Sequence, residues 1–573
     1  MESDPGFTAA QFVLSEDAPQ CDMILKGGVT SGIVYPRAIL EVAKKYRLRS
    51  IGGASAGAIA AGFAAAAEYA RRNGDPAGYA RLDECCAKLP SILSGLFQPP
   101  AHLRSLLQAG LGLTAAKNKL GGFLAPLRWI LASGAGLGAA VYAGLLAITD
   151  LLTTAPVWSP AAIPGLIFAV IVGAIAHLAL RVGLMVFGDL RRQNYGLCSG
   201  MPVGAAKSQS LTEWLHTSLQ FIAFGDQPPD RPLTLRDLEG GGQFPGLEID
   251  FRTITTNLSM QQPEVISRTR LNLFFDPEQW ARLFPADVMN YLKAGQPDPS
   301  AAHLHSLPKG LDLPVLVAIR MSLSFPFLIQ AVPLWLRDAA IKGRPFSQIW
   351  FSDGGITSNF PIHFFDALLP SRPTFAFSLD DRPDTFETSD RISMPQNARD
   401  GSILPIHRIE TLGNFAGALL GSAKGWQDQM QSVLPGQRQR VVRIKLDKAT
   451  EGGLNINMSK EVSERLMGYG GEAGRLVCQK FNFAEHRWRR ALVAHEQLEV
   501  LTDTLRKAWP EYGVWYSGYI RHVESYCESI NFAHRQEIAR RFWSLSAASV
   551  DLGPPLKVKY PRPPARLRTA PEL

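Results

Sequence analysis

Cysteine is scarce in this chain of 573 residues: six, at positions 21, 85, 86, 198, 478 and 527. They are scattered, no CxxC pair occurs, and the adjacent Cys85 and Cys86 suit neither a zinc knuckle nor an easy bridge. That excludes a disulfide framework and leads us to expect a reducing compartment. Charge is sparse too. Only 19% of residues are Asp, Glu, Lys or Arg, against about 25% in soluble domains. With 46% hydrophobic residues, the chain carries too much apolar surface for disorder to be its main state. The net charge of +8 is too small over this length to suggest a nucleic-acid binder; a basic membrane-facing surface fits as well. There is no H-E-x-x-H pair and no G-K-[ST], so neither a metal site nor a phosphate loop is expected, and no cofactor is implied. The opening segment, MESDPGFTAAQFVLSEDAP, is acidic and lacks an apolar core; it is expected not to be a secretory signal.

The missing charge is concentrated in two places. Trp129–Thr149 runs for 21 residues without a charge, and Ala161–Leu180 for 20 more. Each is long enough to cross a hydrocarbon layer of about 30 Å at about 1.5 Å per residue. The linker between them, DLLTTAPVWSP, holds Asp150 as its single charge, and Trp158 suits an interface. The alternative is a pair of buried core helices, which Pro164, His177 and the Gly content would also allow. The flanks favour a membrane. Lys117, Lys119 and Arg128 precede the first run, Arg181, Arg191 and Arg192 follow the second, and the linker has no Lys or Arg. The positive-inside rule then puts both flanks on the cytoplasmic side. Gly134, Gly136, Gly138 and Gly144 in the first run would let two membrane helices approach closely.

The remainder alternates strand and helix patterns, which predicts an α/β domain. Strand candidates are CDMILKGG, YRLRSIGGAS, EIDFRTITTNL, QIWFSDGG, TFAFSLD and RVVRIKL. From about Ser459 to Ser546 the pattern turns helical. The expected organisation is an N-terminal segment (1–19), an α/β domain over 20–450 interrupted by the hairpin (129–180), a helical region (455–550) and a basic, Pro-rich tail (551–573). No internal repeat is visible.

Three short motifs carry chemistry. Gly53-Ala54-Ser55-Ala56-Gly57 is a G-x-S-x-G pentapeptide between a predicted strand and a predicted helix. A sharp turn there needs small neighbours, lifts the Ser hydroxyl, and aims a helix N-terminus at it. The plainer alternative is a tight turn packed by small residues. Upstream, Lys26-Gly27-Gly28-Val29-Thr30-Ser31-Gly32 also follows a strand. With Val29 where a dinucleotide loop needs glycine, it suits an oxyanion better than a nucleotide. Asp353-Gly354-Gly355 alone would be a hairpin turn; beside a Ser nucleophile its carboxylate is a candidate base. A His triad is the runner-up, because His363 and His407 follow Asp353. His363 is expected to be structural, on the next helix.

In this order the three motifs resemble the patatin-like phospholipases. VAIRMSLSFPFLIQAVPL resembles the segment leading to that family's catalytic Asp. FSDGGITSNFPI is similar to the Asp turn, with Asn359 and Pro361 matching the sequel. TITTNLS resembles the central strand, with Asn257 where Asp is common. The resemblance spans roughly residues 20–380 outside the hairpin. It implies a three-layer α/β/α fold with a largely parallel central sheet, carrying here an inserted transmembrane hairpin and a helical C-terminal region. It implies a Ser–Asp dyad with Ser55 as nucleophile and Asp353 as proton acceptor. It also implies an oxyanion hole from Gly27, Gly28, Val29 and Gly32, and structural roles for Gly53, Gly57, Gly354 and Gly355. The family's loop usually reads Gly-Gly-Gly-x-Arg/Lys-Gly; here Val29 replaces the third Gly and Ser31 the basic residue. The implied activity is hydrolysis of carboxylic esters of membrane lipids through an acyl-enzyme, without metal or cofactor. Ser55 precedes the hairpin and Asp353 follows it, so two spans leave both on one side, at the cytoplasmic face. A catalytically silent scaffold on the same fold is the alternative. A third idea is that the C-terminal helices gate the site or bind a partner.

Overall fold

The computed structural model describes residues 6–562 apart from 29, 116–118, 153–159, 205–207, 241, 296, 383–390, 397–399, 401–405, 407–408, 448–449, 454, 522–530 and 553–559. Strands used below are β1 (Gln20–Leu25), β2 (Arg47–Gly53), β3 (Asp250–Asn257), β4 (Val332–Arg337), β5 (Phe346–Asp353), β6 (Thr374–Asp381) and β7 (Val441–Leu446). Helices are α1 (Tyr35–Ala43), α2 (Ala56–Arg72), α3 (Arg128–Leu152), α4 (Ile163–Gly183), α5 (Val315–Ser322), α6 (Leu412–Ser432), α7 (Lys460–Lys480), α8 (Phe483–Tyr519) and α9 (Phe532–Asp551).

One mixed sheet organises the protein. Its parallel heart runs β7-β6-β1-β2-β3. β1 and the start of β6 are buried almost throughout, which is why they read as near-continuous apolar runs rather than alternating ones. Beyond β3 the sheet turns antiparallel, with β5 against β3 and β4 against β5. The short connection between β4 and β5 suffices there because an antiparallel pair needs no crossover. Helix α2 lies against the parallel strands with nearly its whole length buried. Its Ala and Gly content permits close approach: a Cβ at Gly62 would overlap Ile319.

Helices α3 and α4 pair along their length. Gly134 and Gly138 meet Gly173 at the crossing, while Gly136 and Gly144 have nothing within 4 Å of where a Cβ would sit. Only Gly134 of α3 is buried and nothing of α4. Leu145, Ile148, Ile167 and Phe168 are exposed, so the buried-core alternative is overturned. Two helices, Leu120–Leu152 and Ile163–Arg192, are long and apolar enough to cross a membrane. Trp158 and Lys117 lie outside the described residues.

The C-terminal region is helical as expected. Helix α7 packs on α1, where a Cβ at Gly470 would overlap the Val34 carbonyl and one at Gly474 would crowd Ala38 and Glu41. Arg475 adds an ion pair to Glu41 at 3.0 Å. Helices α8 and α9 hold each other through Trp509 stacked on Phe542, ring centroids 4.5 Å apart.

Candidate active site

Ser55 sits between the end of β2 and the start of α2 with φ 54° and ψ −129°. A non-glycine residue held there stores strain of order 1–3 kcal/mol and persists only if its surroundings fix it. They do. A Cβ at Gly53 would lie 2.6 Å from the Gly57 carbonyl, and one at Gly57 would overlap the Leu25 carbonyl. The two glycines of the pentapeptide are therefore a packing requirement of strand meeting helix. Ser55 is 3% exposed. It lies at an apolar pocket whose walls include Ile33, Ile59, Phe63, Leu96, Trp214 and Phe325. The pocket opens to solvent and is narrow, with a volume of about 90 Å³. Leu93, Leu96 and Phe97 come from the chain before the hairpin. Ile329 comes from a strand, Phe327–Ile329, that pairs with Gly196–Cys198 just after it.

Asp353 ends β5 and is 2% exposed. Its Oδ1 accepts the Gly355 N–H at 2.8 Å, its carbonyl accepts the Thr256 hydroxyl at 2.8 Å, and its N–H donates to the Ser324 carbonyl at 2.9 Å. Gly354 is pressed on the Ile254 carbonyl, where no Cβ fits. Register places the two motifs together. Gly53 pairs with Thr253 and Asp353 with Thr255, so β3 alone separates them. At about 4.8 Å per strand the backbones of β2 and β5 are about 10 Å apart.

The glycine loop departs from expectation. Val29 lies outside the described residues. The Gly27 N–H donates to the Asn359 carbonyl at 2.7 Å, and Asn359 Nδ2 donates back to the Gly27 carbonyl at 3.2 Å. Gly27 therefore braces the loop against the segment after Asp353, and its amide is not aimed at an oxyanion. Gly32 packs on Ala56, where a Cβ would come within 2.7 Å of Ala56 Cβ. Lys26 turns away from Ser55. Its Nζ donates to Asp380 Oδ1 at 2.8 Å and to Ser378 Oγ at 3.2 Å, and Arg443 reaches Asp380 Oδ2 at 2.9 Å. Burial alone would raise the Asp380 carboxyl; the charges of Lys26 and Arg443 outweigh it and hold it well below the usual carboxylate range. Lys26 thus cannot supply the cation that Ser31 lacks.

Sequence reasoning missed Asp428 on α6. It accepts the Ser358 hydroxyl at 3.0 Å and the Phe360 N–H at 2.8 Å, clamping the segment after Asp353 from outside. Burial pushes its carboxyl up. A lone Asp in a helical stretch gives no sign of such a role. His363 is not on a helix: hydrogen bonds from Phe364 to Pro361 and from Asp366 to His363 make this stretch a series of turns. His363 packs edge-on against Phe364, 5.3 Å between centroids, and burial lowers its basicity. His407 lies outside the described residues. Among the described residues no group of three or more His, Cys, Asp or Glu could hold a metal.

Residues 23–366 match the patatin-like phospholipase family. The chain belongs to that family. It is also 34% identical to a protein of Rhizobium meliloti (strain 1021) named RpoH suppressor, across 97% of this chain and 99% of the relative. That name describes no reaction. The matched span of the chain contains the elbow, the hairpin and the Asp turn, and stops before β6, β7 and α7. Family membership places the protein among lipid acyl hydrolases.

Proposed function

We propose that the protein is a membrane-anchored serine acyl hydrolase that cleaves carboxylic esters of membrane lipids. The observation that carries this is the strained Ser55 elbow opening on an apolar pocket, with Asp353 two strands away. Ser55 Oγ attacks the ester carbonyl and Asp353 accepts its proton. The tetrahedral oxyanion is met by backbone N–H groups of Gly28 and, at the helix start, Ala56. One such donor is typically worth about 3–4 kcal/mol. The proton passes to the departing alcohol, and water then releases the fatty acid from the acyl-enzyme. An ordinary Asp, with a pKa near ~3.9, is a weak base at neutral pH, so the dyad relies on proximity and exclusion of water. The apolar walls take the acyl chain. Helices α3 and α4 hold the domain at the inner leaflet, both flanks on the cytoplasmic side.

Fatty-acid release from phospholipid vesicles by the purified protein, with Ser55→Ala as control, tests this; equal release by the mutant would sink it. The engagement of the Gly27 amide by Asn359 favours a second reading, a catalytically silent scaffold on the same fold. Fluorophosphonate labelling that depends on both Ser55 and Asp353 excludes it.

A further inference from the structure

One turn holds both members of the proposed dyad. Ser322 closes α5, and its Oγ accepts the Ser55 N–H at 3.1 Å. Two residues on, the Ser324 carbonyl accepts the Asp353 N–H at 2.9 Å and the Ser352 hydroxyl at 2.8 Å. Leu323, between them, lines the apolar pocket. Ser322 and Ser324 are wholly buried. The turn is anchored from both sides. On β3, the Thr253 hydroxyl donates to the Ala318 carbonyl at 3.1 Å, and the Thr255 hydroxyl lies between the carbonyls of Ser352 at 2.8 Å and Met321 at 3.1 Å. On the other side lies Arg320, fully buried, whose Nη1 donates to Ser324 Oγ at 2.6 Å. Its Nη2 donates to the carbonyls of Ser199 at 2.9 Å and Gln330 at 3.0 Å, joining the turn to the strand just after the hairpin. Each of these three acceptors is a carbonyl or a hydroxyl, and burial lowers the guanidinium to about 10. A buried cation without a carboxylate is costly. The last turn of α5, with its carbonyl-rich end, offsets part of that cost.

We propose that Ser322 is a positioning residue that sets the nucleophile elbow, while Ser324, locked by Arg320, sets Asp353 from the same turn. This rests on the serine-hydrolase reading for its consequence but not for its geometry. Ser55 has a conformation its own chain disfavours, and its N–H is held by Ser322 Oγ. Loss of that acceptor lets the elbow relax and moves the nucleophile relative to Asp353 without touching the acyl pocket.

The test uses the full chain in detergent micelles, comparing Ser322→Val with Ser322→Thr, which have the same shape and differ by one hydroxyl. Three readings are taken: the rate of fluorophosphonate reaction at Ser55, kcat and KM on a p-nitrophenyl ester, and hydrogen exchange of peptides covering 52–57. The Val variant should react about tenfold more slowly, the worth of one buried hydrogen bond, with kcat falling and KM held. Its elbow amides should exchange faster, and Thr should restore all three. Equal behaviour of Val and Thr overturns the proposal. If wild type neither labels nor turns over, the hydrolase reading fails by itself, and exchange at the elbow still decides whether Ser322 positions Ser55. If Val does not fold, Ser322→Ala is compared with Thr, and Ser324→Ala, which keeps the carbonyl but frees Arg320, should loosen exchange at 351–356. Unchanged exchange there overturns the Arg320 part.

Discussion

Gly27 and Asn359 are joined twice: the Gly27 N–H donates to the Asn359 carbonyl at 2.7 Å, and Asn359 Nδ2 donates to the Gly27 carbonyl at 3.2 Å. The residues are far apart in sequence, so this pair fastens the glycine loop to the segment that follows Asp353. Asn359→Leu keeps the main-chain bond and removes the side-chain one. It should lower kcat by up to about tenfold, from a bond worth ~0.5–1.5 kcal/mol, with KM nearly unchanged. Steady-state kinetics on a soluble ester check this. An unaltered kcat would show that the side-chain bond does not set the loop.

Gly57 meets two backbone carbonyls, of Leu25 and Lys26, which cannot swing aside as a side chain can. Gly57→Ala should therefore destabilise the protein by ~1–3 kcal/mol or more and abolish labelling of Ser55. Gly110, itself exposed on the helix Arg104–Ala115 and with nothing within 4 Å of where a Cβ would sit, is the control. There Ala should be neutral or stabilising by up to about 1 kcal/mol. Thermal unfolding of the two variants tests the contrast, and equal shifts would refute the packing account.

The elbow, the glycine loop and the Asp turn were legible because each is a local device, with its small residues next to the residue they serve. Strand β1 and the start of β6 were legible because burial on both faces leaves near-continuous apolar runs. The partners were not. Ser322 reaches Ser55, Asp428 reaches Ser358 and Phe360, and Asn359 reaches Gly27 across long stretches of chain. A single sequence carries no period or spacing that announces such pairs. The same blindness hid the seat of α7: Gly470 and Gly474 make sense only once Val34 and Ala38 lie against them. Gly27 was misassigned for a related reason, since a glycine pattern tells that the backbone is exposed to something but not to what. His363, ten residues past Asp353, was expected on the next helix; Pro361 and the turns around it decide otherwise.

His486 on α8 gives a pH dependence with a definite sign. It is 4% exposed. Burial, and then the charges of Arg440, Arg490 and Arg489, lower it to about 3. Unfolded, it titrates near ~6.5. Between those values the unfolded chain binds a proton that the folded chain refuses, so stability rises with pH in that window. The contribution is complete above the unfolded value and is lost progressively as pH falls toward 3. The slope is at most about 1.4 kcal/mol per pH unit. His486→Phe, which can keep the packing on Phe481, should flatten the dependence between pH 6.5 and 4 (roughly the accessible part of the window). Unfolding midpoints in urea at several pH values measure it, and an unchanged slope would exclude His486 as the source.

Gly138 and Gly136 lie two residues apart on α3 and face opposite fates. A Cβ at Gly138 would overlap the Ala169 carbonyl and sit 3.1 Å from Gly173 Cα, whereas Gly136 has nothing within 4 Å. In a bilayer, lipid tails are as apolar as Leu, so packing rather than hydrophobicity holds two helices together. Gly138→Leu should therefore separate α3 from α4, costing about 1–3 kcal/mol. Gly136→Leu points outward and should stay within about 0.5 kcal/mol of wild type. The chain before the hairpin supplies Leu96 and Phe97 to the apolar pocket, and the strand after it pairs with the one bearing Ile329. A splayed pair should thus also slow hydrolysis of vesicle lipid more than hydrolysis of a short soluble ester, whose smaller acyl group needs less of the pocket. Heat unfolding in detergent, and the ratio of the two activities, separate the variants. Identical ratios for Gly138→Leu and Gly136→Leu would show that the close helix crossing has no bearing on how lipid reaches Ser55.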